Sequence, residues 1–248
     1  MRYKAIFIDI DDTILDYIPC CREAFMHALE ALRNEAPEVS VDAAARLTDE
    51  EWFQVFFSIS GRLFSEAKHG LHTIAEVMEM YPREFVGRWN ELTHGGEGDL
   101  TAQADTFKHA FRAAWGQTHV LVPGARETLE ALRAKGYRLF AASNSFGHLQ
   151  RSRLEQAGVL YLFEDTYISM DIGYDKPDMR FYTEALRRCG VPPQDVVMVG
   201  DSMTTDIIGA RAAGIDAVYF NKRGEEISES ERNGLRVISS LPELLALL

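Results

Sequence analysis

The sequence has no apolar segment long enough to cross a bilayer, which takes about 20 residues in a helix. Its first residues, Met1 to Lys4, lead straight into a predicted strand instead of a signal peptide. We therefore expect a cytoplasmic protein without a membrane partner. Cysteine is scarce too, since Cys20 and Cys21 are adjacent and Cys189 is far away. So uneven a set does not suit a disulfide framework and predicts free thiols.

Positive charge is in short supply: 26 Lys and Arg stand against 38 Asp and Glu, a formal net charge of −12. A surface of this sign repels polyanions, so no nucleic-acid polymer is expected as a partner. With 248 residues, 46% of them hydrophobic, the chain can bury a large core. Its length leaves room for one domain plus a large insertion.

Two carboxylates stand two residues apart at the end of the first predicted strand. The apolar run Ala5-Ile6-Phe7-Ile8 is followed by Asp9-Ile10-Asp11-Asp12-Thr13. On an extended chain, side chains at i and i+2 point the same way, and two like charges repel unless they are neutralised. The pattern predicts a nucleophilic carboxylate beside a general acid or a metal ligand. The alternative is an Asx-rich turn that ends the strand.

Two further polar pairs follow later strands or precede later helices. Ser143-Asn144 ends a mostly apolar run at 137–142, where a hydroxyl and an amide beside a helix start can hold a phosphate oxygen. The same pair is also ordinary turn chemistry. Lys176-Pro177 precedes an amphipathic run, and Pro177 suits a first helical turn, which leaves Lys176 on the loop. A lone lysine in such a place is usually only solvated.

A third acidic site closes another strand. Val196 to Gly200 is rich in β-branched residues and is followed by Asp201, with Asp206 five positions further on. Carboxylates in this arrangement suit a hard cation. Taken together, an acidic pair, a hydroxyl, a lysine and a cation site are the groups that phosphoryl transfer from a monoester requires.

The order of predicted elements indicates an α/β fold with a doubly wound parallel sheet. Residues 16–118 read as helical, with predicted helices at 21–34, 41–63, 73–81, 83–92 and 100–115. After residue 124 the pattern alternates, with strands at 137–142, 166–169, 196–200 and 216–220 and helices at 125–135, 147–157, 178–189 and 204–213. We expect residues 1–15 and 119–248 to form the core, with residues 16–118 inserted after the first strand.

The chain resembles the haloacid dehalogenase-like (HAD) hydrolase superfamily in four motifs. These are Asp9-x-Asp11-x-Thr13, Ser143-Asn144, Lys176-Pro177 and Gly200-Asp201-Ser202-x-x-x-Asp206. The resemblance implies a Rossmann-like HAD core and identifies the insert as a type 1 cap, a helical lid above the site. It also implies Mg²⁺-dependent hydrolysis of a phosphomonoester through an aspartyl phosphate.

The same resemblance, with the chemistry, suggests a role for each acidic residue. Asp9 attacks phosphorus, while Asp11 protonates the departing alkoxide and then deprotonates the hydrolytic water. The Asp9 carboxylate, the Asp11 backbone carbonyl and Asp201 would hold Mg²⁺, with Asp206 in support.

Phosphate binding is assigned to three further residues. Ser143 and the backbone N–H of Asn144 would hold phosphoryl oxygens, and Lys176 would neutralise the charge on Asp9 and on the phosphate.

The substrate is predicted from a narrower similarity. Residues 143–158, 168–169 and 173–177 are similar to the pyrimidine 5′-nucleotidase branch, although Ser143-Asn144-Ser145 stands where that branch commonly has Thr-Asn-Gly. Most aromatic residues of the insert should pack between helices, but one stacked on a base would favour nucleotides. Two alternatives stay open: a sugar-phosphate or phosphoglycolate phosphatase, or a β-phosphoglucomutase-like enzyme, of the same superfamily, and a non-catalytic interaction module on a phosphatase fold.

Overall fold

The structure, a computed structural model, describes residues 2–35, 47–232 and 234–248. It divides into two compact units, which we call the core unit (residues 1–18 and 119–248) and the helical unit (residues 19–118). Part of the predicted helix 41–63 falls at 41–46, outside the described residues.

A six-stranded parallel sheet forms the centre of the core unit. Its strands are β1 (Ala5–Ile8), β2 (Arg138–Ser143), β3 (Asp165–Ile168), β4 (Val196–Gly200), β5 (Asp216–Phe220) and β6 (Arg236–Ile238). The spatial order is β3-β2-β1-β4-β5-β6, and each neighbouring pair is parallel. This confirms the predicted α/β fold. The strand order reverses beside β1, and ligands of open α/β sheets bind at the carboxyl ends of strands at such a point.

Both faces of the sheet are buried, which explains the nearly continuous apolar strands. Ile6 and Ile8 of β1 pack into one hydrophobic cluster, and Ala5 and Phe7 pack into another on the opposite face.

Eleven α-helices are present among the described residues. They are α1 (Tyr17–Glu35), α2 (Asp49–Lys68), α3 (Ile74–His94), α4 (Leu100–Trp115), α5 (Ala125–Ala134), α6 (Gly147–Gln156), α7 (Ser169–Ile172), α8 (Met179–Cys189), α9 (Gly209–Ala212), α10 (Glu229–Arg232) and α11 (Leu244–Leu247). None of the helices in the described ranges is sufficiently long and apolar to span a membrane. All three cysteines are buried thiols.

Two helix starts in the core unit differ from the prediction. The helix expected at 204–213 begins as a π-helical turn, Met203–Ile208, before α9. Pro177 does not lie in the first turn of α8, because Asp178 caps that helix by accepting a hydrogen bond from the Arg180 backbone N–H at 2.8 Å. An Asp at this position satisfies a backbone donor that would otherwise have no partner.

The predicted break between helices 73–81 and 83–92 is wrong, because α3 continues through Pro82. Proline has no N–H to donate to the carbonyl four residues earlier, here Met78. Arg112 Nη2 lies 3.4 Å from that carbonyl oxygen and supplies a donor in place of the missing one.

The helical unit has its own aromatic core, as predicted. Ten aromatic side chains of its described residues are buried: Phe25, Trp52, Phe53, Phe56, Tyr81, Phe85, Trp89, Phe107, Phe111 and Trp115. Ring centroids lie 5.0 Å apart for Phe25 and Phe56 and 4.8 Å apart for Phe85 and Phe107. These rings therefore serve chiefly to hold the helices together.

Candidate active site

Three aspartates form a cluster at the carboxyl ends of β1 and β4. Asp9 follows β1 directly, Asp201 follows β4, and Asp206 lies in the π-helical turn. Each offers a carboxylate oxygen, and these oxygens lie within 4.8 Å of one another. The strands bring them together because Ile8 lies opposite Val199, and the Asp9 N–H donates to the Val199 carbonyl at 2.9 Å. A donor set made only of carboxylate oxygens fits Mg²⁺.

The Lys176 ammonium lies between two of these carboxylates. Its Nζ donates to Asp9 Oδ1 at 2.7 Å, to Asp206 Oδ1 at 2.6 Å and to the Ala142 carbonyl at 2.7 Å. The Lys176 side chain is only 2% exposed, so these three acceptors replace the water that a surface lysine would bind. Burial by itself lowers the pKa of Lys176, but the charges and hydrogen bonds of Asp206 and Asp9 outweigh burial and raise it above the ordinary value. The residue is therefore a cation.

Burial raises the pKa of Asp9 well above its ordinary value. The Lys176 cation opposes this rise, whereas the negative charges of Asp206 and Asp201 add to it. The ionised Asp9 thus has too little positive charge around it, and a cation held by the cluster would favour the charged form.

Ser143 and Asn144, the predicted phosphate-binding pair, have different hydrogen-bond partners. Asn144 Nδ2 donates to the Lys176 carbonyl at 2.8 Å, and Asn144 Oδ1 accepts from the Lys176 N–H at 2.7 Å. The Asn144 side chain therefore fixes the lysine backbone, and the phosphate role predicted for this residue rests on its own N–H. Ser143, the buried last residue of β2, accepts a hydrogen bond from Gln150 Nε2 at 3.1 Å.

The Asp11 carboxylate contacts two side chains of α6. Its Oδ1 accepts from Arg153 Nη1 and its Oδ2 from Gln150 Nε2, both at 2.6 Å. Sequence reasoning did not identify either partner. A Gln and an Arg three residues apart share one helix face, and this pair follows Ser143-Asn144 closely. That spacing was the feature of the sequence that could have indicated a place for both residues beside the site.

The structural role of Asp12 was also not predicted from the sequence. Its φ of 60° is in the left-handed region, which few residues other than glycine adopt, Asp being one of the more tolerant. Its carboxylate accepts a hydrogen bond from Lys222 Nζ at 2.7 Å and another from Arg223. These ion pairs, to residues about 210 positions away, hold the turn that carries Asp11 and Thr13.

Known proteins match the chain over most of its length. A family model described as haloacid dehalogenase-like hydrolase matches residues 3–214. A glyceraldehyde 3-phosphate phosphatase of Methanothermobacter thermautotrophicus is 33% identical, covering 98% of this chain and 99% of that protein. A ribulose-1,5-bisphosphate 5-phosphatase of Halopiger xanaduensis is 31% identical over 97% of each chain. A pyrimidine 5′-nucleotidase of Streptococcus pneumoniae is 28% identical over 89% of this chain and 85% of its own.

Solved structures show the same fold. The crystal structure of the HAD-hydrolase YfnB of Bacillus subtilis, bound to magnesium, covers all of this chain and 99% of its own, with a TM-score of 0.79. The sequence identity is 23%.

Proposed function

The chain belongs to the haloacid dehalogenase-like hydrolase family, and we propose that it hydrolyses phosphomonoesters of small metabolites with Asp9 as the nucleophile. The observation that carries the proposal is the buried Lys176 ammonium, bonded to Asp9 at the end of the central strand. A carboxylate that is desolvated and aligned by a fixed cation is an activated nucleophile.

The reaction has two displacements at phosphorus. An Asp9 oxygen forms a bond to phosphorus while the ester P–O bond breaks, and the leaving alkoxide takes a proton from Asp11. Asp11 then takes a proton from the water that attacks the aspartyl phosphate. The P–O bond to Asp9 breaks, inorganic phosphate leaves, and both carboxyl groups return to their first state.

Charge on the phosphoryl group is balanced by fixed donors of this chain. Ser143 Oγ and the Asn144 backbone N–H bind phosphoryl oxygens, and the Lys176 cation faces the charge that grows in the transition state. Because Asn144 fixes the Lys176 backbone on both its polar atoms, this donor set is preorganised.

Mg²⁺ fits the carboxylate cluster and would be held by Asp9, Asp201 and the Asp11 carbonyl, with Asp206 in support. Once bound, it supplies positive charge that reduces repulsion between the nucleophile and the phosphate.

Two substrate classes have support. The segments similar to pyrimidine 5′-nucleotidases, and the relatives of that name, favour 5′-nucleoside monophosphates. The glyceraldehyde 3-phosphate and ribulose bisphosphate phosphatases match nearly the whole chain at higher identity and favour small sugar phosphates. Since most aromatics of the helical unit are buried, stacking on a base has few candidate side chains, which favours the second class.

The setting of the proposed reaction is the cytoplasm, where such metabolites occur. This location and the absence of a nucleic-acid partner rest on the sequence: there is no long apolar run, and the net charge is −12.

The test is steady-state turnover by purified protein with Mg²⁺. Wild type and Asp9→Asn are compared on p-nitrophenyl phosphate, then on UMP, dUMP, glyceraldehyde 3-phosphate, glucose 6-phosphate and phosphoglycolate. We expect turnover by wild type alone, with the highest kcat/KM identifying the substrate class. Equal rates for both proteins would reject Asp9 as the nucleophile. No turnover on any ester would support the non-catalytic interaction module.

A further inference from the structure

Two polar side chains of α6 are completely buried beside the proposed site. Gln150 and Arg153 are both 0% exposed, and they are one turn apart on the same helix face. Burying a guanidinium is costly unless an anion and hydrogen-bond acceptors replace its water. Asp11 Oδ1, at 2.6 Å from Arg153 Nη1, supplies that anion.

The contacts among these three side chains form a closed network. Each Asp11 oxygen accepts from a different donor, Oδ1 from Arg153 and Oδ2 from Gln150. Arg153 Nη1 also donates to Gln150 Oε1 at 2.9 Å, which fixes the orientation of the Gln150 amide. A carboxylate held at both oxygens cannot rotate about its terminal bond without losing a charge-assisted hydrogen bond.

We propose that Gln150 and Arg153 are positioning residues that hold the Asp11 carboxylate where it exchanges protons with the leaving group and the water. The inference rests on the proposed function, in which Asp11 is the acid and base. Proton transfer requires the carboxylate within hydrogen-bond reach of the ester oxygen, and a displacement of about 1 Å can lower the rate by ~10²-fold. Asp11 needs such support because it directly precedes the turn at residues 12–14 and its side chain is 25% exposed.

A different role for Gln150 would have a different kinetic signature. Gln150 Nε2 also donates to Ser143 Oγ at 3.1 Å, so it could instead orient a phosphate ligand. Loss of a phosphate contact impairs the hydrolysis of every phosphomonoester by a similar factor. Loss of acid positioning affects only those esters whose leaving group needs a proton.

The first experiment compares Gln150→Met with Gln156→Met, a matched change at an exposed position of the same helix. The substrates are p-nitrophenyl phosphate, whose phenolate leaves unprotonated, and whichever of UMP and glyceraldehyde 3-phosphate wild type hydrolyses faster. We expect Gln150→Met to lower kcat on the alkyl ester by about 10- to 100-fold, but on the aryl ester by less than about threefold. KM should change little, and Gln156→Met should match wild type on both.

The second experiment is a double-mutant cycle. In an Asp11→Asn background, adding Gln150→Met should lower kcat by less than about twofold, because the group that Gln150 positions is already lost. Arg153→Lys, which keeps the charge but loses the planar fork, should show the same aryl-to-alkyl difference as Gln150→Met. If Arg153→Lys fails to fold, the Gln150→Met measurements by themselves test the proposal.

Three results overturn the proposal: equal penalties on both esters, a change in KM alone, or the full Gln150→Met penalty in the Asp11→Asn background. In each of these cases wild-type turnover keeps the proposed function intact. A wild type that is inactive on both esters rejects the proposed function and this inference with it.

Discussion

Lys176 shows how a single buried charge can organise a site. Its ammonium contacts Asp9 and Asp206 together, and neither carboxylate has much access to water. Removing one partner of a buried ion pair is more damaging than removing both, since the remaining charge stays desolvated. Here one substitution would leave two carboxylates in that condition.

We therefore expect Lys176→Met to lower the free energy of unfolding by about 3 kcal/mol, measured by urea denaturation at pH 7. The control is Lys4→Met, whose side chain is 70% exposed and should change stability by less than about 0.5 kcal/mol. In the same variant, the fold decrease in kcat should exceed the fold increase in KM, since the charge that Lys176 balances grows in the transition state. A wild-type unfolding midpoint for Lys176→Met would contradict this account.

Asp9→Asn tests the nucleophile at the same scale. The amide can still accept the Lys176 hydrogen bond, so the fold should be retained, but an amide is a far poorer nucleophile than a carboxylate. We expect kcat on p-nitrophenyl phosphate to fall below about a hundredth of the wild-type value, a loss that an acid–base group alone can also reach. Trapping of a phosphorylated chain at Asp9 by rapid quench, in wild type and not in the variant, separates the two explanations.

Residue placement could be predicted from pattern where chemistry coincides with a strand end. Asp9 and Asp201 follow apolar β-runs, so parallel pairing predicts their proximity, and the structure has their carboxylates in one cluster. Gln150 and Arg153 lie in a helix, where polarity suggests exposure, although both are buried. Asp12 pairs with a lysine 210 residues away, which no local pattern can reveal.

At the scale of elements, the β4 end and the π-helical turn act together to place Asp206. Asp206 Oδ2 accepts from the Ser202 N–H at 3.1 Å, which folds the side chain back onto the end of β4. A Cβ at Gly200 would lie 2.3 Å from that oxygen, so only glycine leaves room for the carboxylate. π-Helical turns are rare in proteins overall, and those that do occur are often at functional sites.

Gly200→Ala is expected to displace Asp206 and thereby remove one of the two carboxylates that hold Lys176. We predict a fall in kcat on p-nitrophenyl phosphate of at least about tenfold. The same change at Gly61, inside α2 with nothing within 4 Å of its Cβ, should raise stability by about 1 kcal/mol and leave kcat alone. Equal effects of the two variants on kcat would show that the close approach at Gly200 has no functional importance.

Elements were predictable where the apolar pattern is strong and hydrogen bonding is local. Strands β4 and β5 are buried along nearly their whole length and match the prediction residue for residue. The break at Pro82 was wrong because the donor that makes its helix tolerable comes from Arg112 on another helix. Strand β6 has three residues, too few to show a period of hydrophobic residues in the sequence. It forms by pairing in parallel with β5.

For the whole molecule, negative charge is the dominant electrostatic feature. The net charge is −12, and three aspartates converge at the switch point of the sheet with Lys176 as their buried cation. Self-repulsion of this kind destabilises the compact state. A divalent cation bound only by the folded chain should therefore stabilise the molecule and enable the reaction together.

Mg²⁺ is accordingly expected to raise the unfolding temperature of chelator-treated protein. At a concentration 100-fold above Kd, binding to the folded state adds about 2.7 kcal/mol, which corresponds to roughly 5–10 °C for a chain of this size. Asp201→Asn should lose most of this shift, as well as activity, whereas Glu97→Gln, an exposed carboxylate elsewhere, should keep both. Each scan is repeated in NaCl of equal ionic strength, because general screening would stabilise all three proteins alike. Full turnover in chelator, together with an unfolding temperature that Mg²⁺ does not move, would mean that the aspartates act without a metal.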